Sequence, residues 1–415
     1  MQIAKDLRRA TGLAKRVLRG RRNLAELRKA LDERGPLPTQ HYEVGVYFAD
    51  GPVNLYQMRQ WYAPLRELSK THPVLLLTRG ASAALALMRE SGLDVAYTRK
   101  IGEIEELLAE QRLGVMLYVN QNARNFQMMR YGTLWHVFVS HGESDKVYMA
   151  SNQNKAYDYS FIAGDAARER LTRALWDYDV DRRTFAIGRP QNDHLQGEPP
   201  FAPDERTVVF YAPTWEGDRP SMSYGSVASH GESLVRRLIE TGRHRVVYRP
   251  HPRSGVSDRE YGAANERIIA MIAEANRKDP AARHVYDQSP SIDWQLSLPD
   301  IAVCDVSAMV YDRLATGKPL MVTRPIAEEA EVDEIGYLGV CEWLYAGDAP
   351  RGDEALDRVI GDEAARERLG TWSQHYFGDT SPGAPTARFH EAVETLLARA
   401  EEWRERKAAE EVPGA

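Results

Sequence analysis

The sequence predicts an α/β protein made of two doubly wound parallel sheets that face each other. Three observations carry this. Short apolar runs alternate with segments of helical periodicity along most of the chain. The alternation stops once, at the Pro/Gly-rich stretch "QNDHLQGEPPFAPDERT", and then restarts. With 415 residues, the chain is too long for one ordinary core and suits two.

Before "ERGPLPTQ" the chain reads as a helix, and after it the alternation begins. "YEVGVYFA" reads as a strand, "NLYQMRQWYAPLRELSK" as one helix, "PVLLLTRG" as a strand and "SAALALMRESG" as a helix. "DVAYTR" and "GVMLYVN" are strands flanking the helix "IGEIEELLAEQR". "HVFVS" and "YDYSFIAG" follow as strands, then the helix "DAARERLTRALW". After the break, "VVFYA", "HRVVY", "RHVYDQS", "DIAVC" and "KPLMVTRP" are strands. Helices at "GESLVRRLIETG", "ERIIAMIAEANRK" and after "DVS" separate them, and the tail "TARFHEAVETLLARAEEWRERKAAEE" is a long helix. The expected division is a basic N-terminal segment (1–38), a first α/β domain (39–195), a second (205–380), and a C-terminal helix and tail (381–415).

Hydrophobic residues at 43% and charged residues at 27% describe a globular chain, and no apolar run is long enough to span a bilayer. The only cysteines, Cys304 and Cys341, lie far apart, which argues against a disulfide framework or thiolate zinc site and for a reducing cytoplasm. The start has no apolar core of the secretory kind. Residues 1–30 instead carry ten Lys or Arg against Asp6 and Glu26, in a chain whose net charge is −6. Ile3, Leu7, Ala10, Ala14 and Val17 recur at helical spacing among them, so this segment reads as a basic amphipathic helix. Such a helix can lie on an anionic membrane, at roughly 1 kcal/mol per basic side chain, or simply pack on its own protein. The acidic remainder has no basic patch with interleaved aromatics, which excludes nucleic acid as a partner.

Four strand ends carry chemistry, and open α/β sheets bind ligands outside such ends. His141-Gly142 closes "HVFVS"; a histidine is the side chain best suited to take a proton near neutrality, and a glycine lets backbone come close. "YRPHP" places Arg249 and His251 on a segment stiffened by Pro250 and Pro252, a combination suited to a pyrophosphate. In "VCDVSAMVYD", Asp305 follows the strand and Ser307 caps a helix starting at Ala308, with Asp312 one turn on. "YAPTWEG" puts Thr214 and Trp215 beside them. Each also has a plainer reading: a turn, a surface arginine with a capping histidine, an ordinary N-cap, a second turn. No nucleotide-binding glycine fingerprint or metal-ligand spacing occurs, so no metal and no cofactor are expected.

Taken in order, "SHGESDK", "YDYSFIAG", "FYAPTWEG", "YRPHP" and "DIAVCDVSAMVYDRLATGKP" resemble the CDP-glycerol glycerophosphotransferase family of teichoic acid synthesis, over roughly residues 136–325. "FGDTSPGAPTARF" resembles that family's closing segment. The resemblance implies a GT-B architecture of two facing Rossmann-like domains. It implies essential histidines at His141 and His251, with Arg249, Ser307 and Asp312 around the phosphates of the nucleotide. It further implies transfer of a polyol phosphate from a CDP-activated donor to a hydroxyl of a lipid-linked cell-wall or capsule acceptor at the inner membrane face. The sequence departs from the family pattern at Ser140 and at 143–146, in the loop expected to meet the acceptor. Two alternatives remain on the residues alone: a GT-B glycosyltransferase using a nucleotide sugar, and a non-catalytic scaffold at the membrane surface.

Overall fold

The computed structural model describes residues 2–143, 147–195, 197–289 and 292–411. It contains two parallel sheets, each sandwiched between helices. The first joins β1 (Val44–Phe48), β2 (Val74–Thr78), β3 (Asp94–Tyr97), β4 (Val115–Tyr118), β5 (Trp135–Phe138), β6 (Tyr159–Ile162) and β7 (Thr184–Ala186) in the order 3-2-1-4-5-6-7. The second joins β8 (Thr207–Ala212), β9 (His244–Tyr248), β10 (Val285–Tyr286), β11 (Ile301–Cys304), β12 (Leu320–Thr323) and β13 (Glu342–Leu344) in the order 10-9-8-11-12-13. Every pairing is parallel. The central strands are buried along their whole length, because helices cover both faces; this is why they read as unbroken apolar runs.

Strand order reverses between β1 and β4 in the first lobe and between β8 and β11 in the second. Ligands of open α/β sheets bind at such reversals, and the loops after β5, β8, β9 and β11, with the helix that follows β11, hold the site residues singled out above.

One expected helix is divided, and the expected tail helix takes a place that its sequence did not indicate. The helix expected over "NLYQMRQWYAPLRELSK" is two, Leu55–Arg59 and Tyr62–Leu68. Pro64 has no N–H to offer the carbonyl of Gln60, so the ladder breaks there and Pro64 sits in the first turn of a new helix. The tail helix, Ala384–Glu411, returns to the first lobe: Phe389, Val393 and Leu396 enter the same core as Val44, Val115 and Val137. Two crossings therefore join the lobes. They are laced together by Asp193, whose carboxylate accepts from the N–H groups of Gly383 and Thr386 at 2.9 Å and from the Thr386 hydroxyl at 2.6 Å.

The N-terminal helix runs from Gln2 to Arg34. Its second half is tied down: Leu27 is fully buried, Ala30 and Leu31 pack on the first core, and Asn23 donates to Ser82 at 2.6 Å. The side chains of the expected apolar stripe, Ile3 to Val17, lie outside the described residues. So do Ser144, Asp145 and Lys146. No helix among the described residues is long and apolar enough to cross a membrane.

Candidate active site

The first lobe presents His141 on a strained turn. Ser140 adopts a left-handed conformation (φ 55°), which costs a non-glycine residue about 1–2 kcal/mol. The turn is held by the Trp61 indole N–H, which donates to the Ser140 carbonyl at 2.6 Å, and by the Ser140 hydroxyl, which donates to the Gly142 carbonyl at 3.1 Å. Trp61 stands at the helix break noted above, so that break helps to build the site.

The His141 ring lies against Val119 at the end of β4, with Nδ1 3.0 Å from the Val119 carbonyl. A carbonyl only accepts, so Nδ1 carries the hydrogen and Nε2 holds the lone pair of the neutral ring. Nε2 has no hydrogen-bond partner among the described residues. Burial lowers the pKa of His141 below its ordinary 6.5, and the nearby Arg189 charge lowers it further; the Val119 bond and the Asp312 charge oppose them. The ring is therefore neutral near pH 7 and able to accept a proton through Nε2.

Arg189 and Asp312 form an ion pair at 2.7 Å with side chains 10% and 15% exposed. Arg189 follows β7 in the first lobe, whereas Asp312 lies on the helix Ala308–Leu314 in the second. His141, Arg189 and Asp312 thus form one electrostatic group across the inter-lobe gap. Gly142 borders it: a Cβ there would stand 3.9 Å from the Arg189 guanidinium. Just beyond, the buried Glu143 pairs with Arg170 of the helix Asp165–Ala174.

The second-lobe residues are ordered mainly by one another. Asp305 is fully buried and accepts from the Thr214 N–H at 2.7 Å, the Ser226 N–H at 3.0 Å and the Thr323 hydroxyl at 2.6 Å. Burial nevertheless raises its pKa to about 6, these bonds opposing. It locks the loop after β8 to β12 and stays out of contact with solvent. Ser307 caps its helix through the Met309 N–H at 3.3 Å, leaving Ala308 exposed at the helix start. The His251 N–H donates to the Pro213 carbonyl at 3.2 Å, and its Nδ1 accepts from the Arg253 N–H at 3.1 Å. Nε2 of the neutral ring therefore carries a hydrogen and is a donor. His251 and His141 hold opposite tautomers, one built to give and one to receive.

The Arg249 guanidinium pairs with the buried Asp287 at 2.5 Å and donates to the Ser289 carbonyl at 2.9 Å. Glu216 orders the rest of that loop, accepting from the N–H groups of Gly255, Ser257 and Asp258 at 2.6–3.0 Å. Arg189 and Glu216 escaped the sequence reading. Arg189 sits in "AIGRPQND", next to the stretch taken as a linker, and Glu216 ends "APTWEG" with no local pattern to mark it. Among the described residues no group of three or more His, Cys, Asp or Glu side chains is placed to hold a metal ion. Cys304 and Cys341 are buried and unpaired.

Two parallel-sheet lobes bridged by the Arg189–Asp312 pair have the GT-B architecture. Comparison with solved structures agrees. The wall teichoic acid polymerase TagF superposes with a TM-score of 0.53 at 13% identity, over 94% of this chain and 99% of that one. A His-to-Ala variant of TagF gives 0.55 at 12% identity, over 96% and 98%. A Listeria monocytogenes protein described as a UDP-N-acetylglucosamine 2-epimerase gives 0.52 at 14%, over 83% and 93%. At these identities the likeness is one of fold. Functionally curated proteins gave no match. Residues 136–332, however, match the family described as CDP-Glycerol:Poly(glycerophosphate) glycerophosphotransferase. Over that stretch the chain is similar to CDP-glycerol glycerophosphotransferases, in keeping with the ordered motifs.

Proposed function

We propose that the enzyme transfers a polyol phosphate, such as glycerol phosphate, from a CDP-activated donor to a hydroxyl of a lipid-linked cell-wall or capsule acceptor, and releases CMP. The observation that carries this is the unpartnered Nε2 of a neutral His141, set beside an ion pair that spans the lobes. His141 takes the proton of the acceptor hydroxyl while its oxygen attacks the β-phosphorus of the donor. The bond to the bridging oxygen breaks, and CMP leaves with the electron pair. The Nε2–H of His251 donates to the departing phosphate, and the exposed helix start at Ser307 and Ala308 supplies further N–H groups. Arg249 adds positive charge from its place on Asp287. Thr214 and Asp305 act one step back, by fixing the loop after β8. Phosphoryl transfer needs mainly positioning and charge stabilisation, and these groups supply both. The first lobe would hold the acceptor and the second the donor. The basic residues 1–30 would bring the enzyme to the anionic inner face of the cell membrane, from the cytoplasm.

The test is to incubate purified protein with CDP-glycerol, CDP-ribitol and a panel of nucleotide sugars in the presence of a membrane extract. Consumption of a CDP-polyol with release of CMP is expected. Release of UDP or CDP from a nucleotide sugar would instead establish glycosyl transfer, and no consumption of any donor would overturn both.

A further inference from the structure

The turn that presents His141 is not packed solid. A cavity of about 60 Å³ adjoins it, bordered among others by Trp61, Ser140, Gly142 and Arg189. Close packing, which fixes most buried backbone, is incomplete at this point. Ser140 is moreover left-handed (φ 55°), a conformation unfavourable for a residue other than glycine. Hydrogen bonds therefore have to hold the turn. The bond from the Trp61 indole N–H to the Ser140 carbonyl, at 2.6 Å, is shorter than that from the Ser140 hydroxyl to Gly142, at 3.1 Å. That carbonyl belongs to the peptide unit joining Ser140 to His141. A peptide unit is planar, so fixing its oxygen fixes the plane from which the His141 side chain departs.

Trp61 is itself held in place. It is 2% exposed, and its ring packs on Phe389 with centroids 5.4 Å apart. Phe389 is fully buried and lies on the helix Ala384–Glu411, one turn after Thr386, whose N–H and hydroxyl bind Asp193. A continuous line of contacts thus runs from the second crossing between the lobes, through Phe389 and Trp61, to the backbone of His141.

We infer that Trp61 is a positioning residue for His141: its indole N–H sets the peptide plane that aims the imidazole, and the returning helix holds the indole through Phe389. The docking of that helix on the first lobe then matters for rate as well as for stability. The inference rests on His141 acting as the base, but its first readout uses no substrate, so the two can fail separately.

Trp61→Phe keeps a ring against Phe389 and removes the N–H. Nitrogen NMR of the full chain, labelled at its histidine rings, follows His141, assigned by the signal missing from His141→Gln. The unaltered protein should show a single tautomer with the hydrogen on Nδ1, bonded to the Val119 carbonyl. Trp61→Phe should turn it into a mixture of tautomers. With CDP-glycerol, kcat should fall by about tenfold to a hundredfold, the scale of a displacement of roughly 1 Å, while the donor KM stays nearly unchanged. Ser140→Gly relieves the turn, since glycine takes a positive φ freely, and in that background Trp61→Phe should cost much less. A structural role alone would lower Tm and produce none of these changes. Should Trp61→Phe fail to fold, Phe389→Leu keeps the indole but loosens its anchor, and a tautomer mixture is again expected. A single Nδ1–H tautomer that persists in the variants, or a kcat loss equal in both Ser140 backgrounds, would overturn the inference.

Discussion

Arg189 and Asp312, from opposite lobes, meet at 2.7 Å beside the His141 ring and act on it with opposite sign. Asp312→Asn leaves the Arg189 charge alone next to the imidazole, so the pKa of His141 falls further. The acid limb of kcat/KM should move to lower pH, while Arg189→Gln should move it up. The same Asp312→Asn change strands a buried guanidinium and should cost about 3–5 kcal/mol, read as a lower Tm. Limbs that do not move, or that move together, would remove His141 from the rate-determining proton transfer.

Replacing His141 itself with Ala should reduce turnover by about 10²–10⁴, the usual worth of a positioned base. CDP-glycerol affinity, measured by calorimetry, should hardly change. In the unaltered enzyme the rate should rise with pH through a limb below 6.5, because the folded pKa is lowered and only the neutral ring accepts.

Glu216 gathers three backbone N–H groups of the segment that follows His251. Glu216→Ala should release that loop, visible as faster hydrogen exchange at 253–258. Bonds to a charged acceptor contribute about 1.5–3 kcal/mol each, so a loss of several kcal/mol is expected, with a higher KM for the donor and little effect on acceptor binding. A rise in acceptor KM instead would misplace this loop.

Acid stability follows in part from two buried histidines. Burial lowers His230 and His284 to a pKa of about 4 in the folded state. The unfolded chain therefore binds more protons between about 4 and 6.5, and stability falls as pH drops through that window. Asp305, raised to about 6, works in the opposite sense over the lower part, its contribution being lost as pH rises. Burial raises Asp312 in the same sense as Asp305. But His136, His141, His194, His244 and His390 are lowered like His230 and His284, and the histidines outnumber the carboxyls, so a net loss on acidification is expected. Denaturant titrations at several pH values should show it, with a flatter slope in His230→Gln.

The basic start can be tested with vesicles. Full-length protein should co-sediment with anionic vesicles and not with neutral ones. Changing Arg8, Arg9, Lys15 and Arg16 to Gln should weaken this by a few kcal/mol in all, since each contributes about 1 kcal/mol near the surface. These positions precede the packed half of the helix around Leu27, so the fold should survive.

Much of the fold was legible because strands buried on both faces leave long apolar runs such as "PVLLLT", and because Ser307 announces its helix through an ordinary N-cap. The three-residue edge strands β7 and β13 carry too little pattern to see. The destination of the helix Ala384–Glu411 was hidden, since an amphipathic stripe does not say which lobe it covers. At the site, His141 and His251 stood out by residue type and by the resemblance. Arg249 did too, but its partner Asp287 lies 38 residues away, and nothing local predicts that pairing. Arg189 with Asp312, and Trp61 with Ser140, are likewise joined only by the fold.

The carboxylate of Asp193 gives the molecule a double-stranded hinge. A single tether would let the halves swing freely, but here both strands are fastened at one spot, with Arg388 also donating to the Phe377 carbonyl at 2.9 Å beside Gly188. Any relative movement of the lobes has to bend two segments at one place, which favours a rotation about that knot over a sliding of one lobe past the other.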